Sequence, residues 1–561
     1  MMTPLLQRLS ICCIVALSPF FLKAQSAGTI SGDLQTTANF FIRDSLIGAA
    51  QIPQYDRQLY GADSWLTLNY SNWGFDFGIR YDLFNNSNLL IPTDSYTDQG
   101  IGRWFISKQI DKLGITGGYI YDQIGSGMIF RSFEQRPLLI DNALIGLRLT
   151  YDINDNWKVK AFTGQQKNLF EEYESIIKGI NAEGFLSVGK EKPITLAPGI
   201  GIVNRTLDNA SVDALVATIA TYPIDDIFTP QFNTYAFTFY NTLNVGPLTW
   251  YLETAFKTKD VMNNSFGRFS TDPEGFIRNR FINKAGSVLY TSFSAAAKGI
   301  AADLSLKRTE NFSFRTRPQV QLNRGLINFL PPMARVNTFR LTARYLPATQ
   351  ELGEWAAQLD LRYSIKRKWN FLLNFSNINT LDDQLLYREV YWEGVYRQKR
   401  DWKLLFGIQH QNYNQAVFEF KPDVPNVQTI TTFAEFDYRL NKYQSLRFEF
   451  QYMHVGEDER AEARQDYGNW LFGLVEWSIA PHWTFTVSDM YNVTPGKNAP
   501  IRPNGERYQL HYPRFDVFYT KDANRFSLSY IKQVEGVVCT GGICRLEPAF
   551  SGFKFTVNST F

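Results

Sequence analysis

From Trp73 to Leu83 every second residue is apolar. Trp73, Phe75, Phe77, Ile79, Tyr81 and Leu83 alternate with Gly74, Asp76, Gly78, Arg80 and Asp82, which are small or charged. Successive side chains of a strand point to opposite faces, so a period of two specifies a strand with one greasy side and one wet side. The pattern returns at Leu359, Leu361 and Tyr363 against Asp360 and Arg362, and at Phe436, Tyr438 and Leu440 against Glu435, Asp437 and Arg439. It returns again at Leu446, Phe448 and Phe450 against Arg447 and Glu449. One-sided sheets of soluble sandwiches also alternate, but their strands usually have about 5–6 residues. The segments here run to about 9–13, the length of a tilted strand that crosses a membrane. No single sandwich core could absorb so many of them. A sheet in a bilayer must close, because each open edge group costs several kilocalories per mole.

The expected fold is therefore all-β: a transmembrane antiparallel β-barrel of about 26 strands, within a range of roughly 22–28, even in number if both termini face the periplasm. The strands run from 28–43 to 550–561, and 182–190, 325–331 and 335–346 are read as strands among them; 325–331 is included partly to keep the number even. Short polar turns at 71–72, 154–156, 366–368, 398–401, 441–442 and 522–524 alternate with long connections at 44–63, 207–231, 260–286 and 495–508. That asymmetry predicts short periplasmic turns and long outer loops. Trp73, Trp157, Trp369, Trp402 and Trp483 each follow a short turn. An aromatic girdle at one membrane interface would stand there. The aromatic share, 15 % of the chain, suits strands. The alternating charges Asp76, Arg80, Asp82, Asp360, Arg362, Glu435, Asp437, Arg439, Arg447 and Glu449 are expected to face a wet lumen and to pair across strands. Their mixed signs argue against a strongly ion-selective pore.

Both ends of the chain fit export. Arg8, the apolar run from Ile11 to Leu22 and the small Ala24 have the layout of a cleaved leader, with the cut expected between Ala24 and Gln25. The run is too short to span a bilayer as a helix, which takes about 20 residues. Residues 1–24 are thus read as a signal peptide and 25–561 as one barrel domain. At the other end Phe553, Phe555 and Val557 alternate with Lys554, Thr556 and Asn558, and the chain stops at Phe561. A last amphipathic strand ending in Phe resembles the signal read by the barrel-assembly machinery of Gram-negative outer membranes. The expected location is that membrane. Its lipid and, during insertion, that machinery are the expected partners, with other envelope proteins as further candidates.

Little in the sequence points to chemistry. The net charge is +3 with no basic block, which argues against nucleic acid as a partner. Four histidines do not suggest a multi-histidine metal centre, and no Ser, His and Asp trio stands out by spacing. No catalytic residue, metal ligand or cofactor is expected, and the chain is read as a non-enzyme. Cys539 and Cys544 flank Thr540-Gly541-Gly542-Ile543, and an exported compartment favours a disulfide between them. Gly125-Ser126-Gly127 looks like a phosphate loop but lacks the GK[ST] ending and a following helix. It is read as a barrel bend or an inward-folded loop.

The Gly125–Arg131 stretch, Ile140-Asp141-Asn142-Ala143-Leu144, Ile327-Asn328-Phe329-Leu330-Pro331 and the VVCTGGICR loop around Cys539 resemble an uncharacterised outer-membrane barrel family common in Bacteroidota. The resemblance covers the whole chain after the leader and implies fold and location but no site residues. Three functions compete. A non-enzymatic conduit or scaffold for envelope transport or assembly leads, a general diffusion porin follows, and an outer-membrane hydrolase comes third.

Overall fold

A computed structural model describes residues 28–189, 194–321, 324–366, 368–421, 424–456, 468–495, 499–540 and 543–561, with backbone alone at 537–540 and 543–546. The leader expected at 1–24, with Ala24 and Gln25 at its junction, lies outside the described residues. So do the side chains of Cys539 and Cys544.

Each alternating segment pairs antiparallel with the next, and the result is one sheet of 25 strands. The extra strand is Leu186–Val188, which continues Glu171–Gly184 along the same neighbour, Ile194–Thr206. The wall proper is a closed barrel of 24 strands. Closure is made by the first strand, Thr29–Phe41, against the last, Phe550–Thr560, in register from Asp33↔Thr560 to Phe41↔Gly552. The first strand begins and the last strand ends at the rim that carries the short turns, since Thr29 stands opposite Ser71 beside the 73–74 turn.

Parity decides which face each side chain takes. Ile79, Tyr81, Leu361, Tyr363, Phe448 and Phe450 point outward and are exposed, while Arg80 and Asp82 point inward. An outer belt of exposed apolar side chains is the reverse of a soluble sheet. Among the described residues no helix is long and apolar enough to cross a membrane.

Three sequence expectations need correction. The segments 325–331 and 335–346 are not strands; they belong to the 311–352 connection, which folds into the lumen. Their apolar residues are buried there, and a short apolar run looks the same in a strand and in a buried coil. The strand expected at 182–190 is Glu171–Gly184. Its inward face mixes Tyr173 and Ile177 with Ser175 and Asn181, and its outward face sets Lys178 between Ile176 and Ile180, so the alternation blurs. The long loop expected at 260–286 is mostly sheet, because Leu248–Gly267 and Arg278–Ala297 each run for 20 residues. Their far halves place apolar residues side by side, Val261 with Met262 and Phe281 with Ile282, among polar ones such as Asn263 and Asn264, so no period of two shows. Against that extension packs the helix Asn209–Ile219, capped by the Asp208 carboxylate on the Ser211 N–H at 2.7 Å, with Val212, Leu215 and Ile219 on Val261.

Candidate functional site in the lumen

A wall of this many strands encloses a wide interior, and two connections from the long-loop rim fill much of it. Residues 121–143 follow the short strand Leu113–Ile120, and residues 311–352 follow Ile300–Glu310. Ile124, Met128, Ile129 and Phe130 of the first segment join Phe312, Phe314, Ile327 and Leu330 of the second in one apolar cluster. The wall completes it with Phe162, Ile177, Val203, Ala236, Ala255 and Val288. A second cluster sets Met333, Leu341 and Tyr345 against Phe41, Tyr387, Tyr413, Met453, Trp470 and Met490. The two segments also bond to each other: the Arg131 N–H donates to the Ile327 carbonyl at 2.8 Å and the Phe329 N–H to the Gly127 carbonyl at 2.9 Å. The Arg131 guanidinium lies 4.2 Å over the Phe329 ring.

Charged wall residues hold both segments. Arg80 donates to Asp82 at 2.6 Å, to Glu134 at 2.5 Å and to Asp141 at 3.0 Å. Lys167 reaches Asp141 at 2.6 Å, and the Tyr121 hydroxyl donates to the same carboxylate at 2.7 Å. Burial alone would raise the Asp141 carboxyl, but Lys167 and Arg80 outweigh it and hold it below the usual carboxylate range. Around 311–352, Arg205 donates to Asp260 at 2.7 Å and to the Arg315 carbonyl at 2.8 Å. Lys257 bonds Asp260 and the Ser313 carbonyl, and Lys307 bonds Glu354 and the Pro331 carbonyl. Farther on, Asn337 donates to Glu389 at 2.8 Å, and the Gln451 side chain accepts from the Leu341 N–H at 2.7 Å.

The glycine-rich stretch turns out to cradle an anion, but an internal one. The Ser126 N–H donates to Glu253 at 2.9 Å, and Glu253 also accepts from Thr238 and Tyr251. Gly125 and Gly127 have φ of 56° and 103°, where side chains are disfavoured. A Cβ on Gly125 would come within 2.6 Å of the Glu253 carboxylate. Below this loop, toward the short-turn rim, lies a cavity of about 1110 Å³ lined by Lys158, Lys160, Glu183, Tyr240 and Tyr251 among others.

The other sequence-derived sites fall as follows. Arg80 and Asp82 are only 2 % and 3 % exposed, so at their level the lumen is packed rather than wet; this corrects the expectation of water there. Nearer the short-turn rim the charges are more open and pair across strands. Lys403 reaches Glu435 and Asp437 at 2.7 Å each, and Arg447 lies 3.9 Å from both Glu435 and Glu449. Asp360 accepts from Asn374 at 3.2 Å, and Asp76 from Ser71 at 2.6 Å, while Arg362 and Arg439 are exposed. Trp73, Trp157, Trp369, Trp402 and Trp483 all stand at the short-turn rim. Trp369, Tyr396 and Trp402 form a run of touching rings with centroids 4.7 and 5.1 Å apart. Phe561 locks the seam through paired backbone bonds with Gly32 at 2.8 and 3.0 Å. Cys539 and Cys544 are opposed in register within the hairpin Gly536–Thr540 and Ile543–Glu547. Among the described residues no group of three or more His, Cys, Asp or Glu could hold a metal ion. The partners of Glu253, Lys307 and Glu389 were not legible, since parity gives a side chain's face but not what a distant connection brings to it.

The model described as "Family of unknown function (DUF6029)" matches residues 5–561. The chain belongs to DUF6029. No curated protein matches this DUF6029 member. Among solved structures it is similar to the translocation pore of the P pilus usher PapC, at 9 % identity and TM-score 0.41, over 95 % of this chain and 99 % of that one. It is similar to the siderophore receptor PirA from Pseudomonas aeruginosa at 8 % identity and TM-score 0.39, over 96 % and 81 % of the two chains. Acinetobacter baumannii OccAB4 is matched at 10 % identity and TM-score 0.32, over 73 % and 100 %.

Proposed function

We propose that this DUF6029 member is an outer-membrane barrel that works as a gated, non-enzymatic conduit for envelope transport. A closed sheet with its apolar face outward suits hydrocarbon, and the tryptophan rim suits an interface with lipid headgroups. Export by a cleaved leader and insertion by the barrel-assembly machinery, with Phe561 closing the last strand, belong to the same reading.

The observation that carries the gating is how the lumen is closed. Segments 121–143 and 311–352 are held to the wall by ion pairs and hydrogen bonds as well as by apolar packing. Such polar contacts can be exchanged for water or a ligand, so they offer a way to release the segments. An open diffusion porin would keep a water-filled lumen, so the filled interior favours the gated reading.

Planar-bilayer recordings of the purified full chain test it. The native protein should give small or rare current steps. Arg80→Ala, which removes the wall's tie to Glu134 and one of the two cations on Asp141, should give larger and more frequent ones. Large steady steps from the native barrel would point to a diffusion porin, and silence from both proteins would sink the conduit.

A further inference from the structure

The buried cations among the described residues each sit against a carboxylate: Arg80 and Lys167 on Asp141, Arg205 and Lys257 on Asp260, and Lys307 on Glu354. Arg340, exposed to the lumen rather than buried, has no such partner. It lies on the inward 311–352 segment, with its side chain open to a lumen cavity of about 250 Å³ and the barrel wall around it. Among the described residues its side chain makes no hydrogen bond, ion pair or ring contact.

The neighbours add positive charge without relieving it. Arg344 lies 4.8 Å over the Trp470 ring. Arg514 is committed to Asp516 through Nε at 2.8 Å and Nη2 at 2.9 Å, and Asp516 also accepts from the Ser529 hydroxyl at 2.5 Å. Across the cavity, Glu476 stands 3.8 Å from Arg447, and Lys532 is held by Asp44 at 2.7 Å. Desolvation, then the like charges of Arg344 and Arg514, push the Arg340 guanidinium down to about 10. A cation kept under such pressure with a free donor fork is the half of a bidentate contact that a carboxylate or phosphate completes. The Thr486 and Ser488 side chains on the same wall add hydroxyl donors, and the cavity has room for a small anion with several waters.

We infer that the cavity walled by Arg340, Arg514, Thr486 and Ser488 binds a small oxyanion, the carboxylate or phosphate group of a soluble solute, with Arg340 as the recognising fork. The inference does not depend on the conduit reading, because a permanently closed barrel could hold the same anion.

Calorimetric titration of the full chain in neutral detergent tests it, with inorganic phosphate and acetate as probes and chloride holding the ionic strength constant. A saturable heat at one site per chain is expected for at least one probe. Arg340→Gln should weaken it by about tenfold or more, and Arg340→Lys by less, since a lysine keeps the charge but loses the fork. No saturable heat with either probe, or unchanged affinity in Arg340→Gln, overturns the site. If Arg340→Gln does not fold, Thr486→Gln decides in its place, because it fills the cavity from the wall and leaves the charges intact; unchanged affinity in that variant also overturns the site.

Discussion

Asp141 shows how much of the interior rests on single charges. It is the carboxylate shared by Arg80, Lys167 and the Tyr121 hydroxyl. Burial would raise its pKa, but Lys167 and Arg80 hold the folded-state pKa below the ordinary carboxylate value. A depressed carboxyl contributes stability above its unfolded value, and that stability is lost as pH falls through the folded one. The hold on the 121–143 segment should therefore persist at neutral pH and fail in acid, below roughly pH 4. In bilayer recordings the steps of the native protein should become more frequent over that range. Asp141→Asn leaves two buried cations short of a partner and should destabilise the folded state by roughly 3 kcal/mol. It should show the acid behaviour already at neutral pH, and a variant that still responds to acid like the native protein would disprove the link. The inward direction of Arg80 and Asp82 was legible from parity alone. Their sealing was not, because Glu134 and Asp141 reach them from a connection some sixty residues away in the sequence.

At the scale of elements, the period of two located strands wherever the inside was polar. Trp369–Asn379, Val427–Arg439 and Gln444–Val455 lie within a residue or two of the spans that alternation predicts, 368–379, 428–440 and 443–455. The signal failed at Glu171–Gly184, where each face mixes polar and apolar residues, and it produced strands at 325–331 and 335–346 from residues that fill the lumen. The outward face also makes a prediction. Leu373 is 40 % exposed near the middle of Trp369–Asn379. On a soluble protein Leu373→Arg at such a position would shift stability by no more than about 0.5 kcal/mol. Facing hydrocarbon near the midplane it should cost about 2–4 kcal/mol, measured by urea unfolding from lipid vesicles. The hairpin Gly536–Thr540 and Ile543–Glu547 makes another. Directly opposed residues of an antiparallel pair have Cα atoms about 4.5–5.5 Å apart, inside the range a disulfide spans. Alkylation of the denatured mature protein should add nothing before reduction and two adducts after it. Adducts on unreduced protein with no gain after reduction would rule the bridge out, and a total of four after reduction would mean that Cys12 and Cys13 are retained.

For the whole molecule, fold class and closure were legible and the contents of the barrel were not. Alternation is a property of neighbours in sequence, and it fixes a wall. Filling the wall depends on residues far apart, such as Gly127 with Phe329 and Arg131 with Ile327. The stretches that resemble the barrel family include these meeting points: 125–131 and 327–331 touch, and Asp141 ties 140–144 to the wall beside them. The number of strands was close to what the segment lengths suggested, and the excess came from counting the lumen's contents as wall.

The seam between Thr29–Phe41 and Phe550–Thr560 sets an order of events. The cylinder is sealed only when these two strands have met, and Phe561 pairs with Gly32 across the join. Residues 121–143 and 311–352 are tethered at both ends to neighbouring staves and are surrounded once the seam joins. No free end has to be threaded through the wall: each inward segment reaches its place by folding back from the staves that carry it.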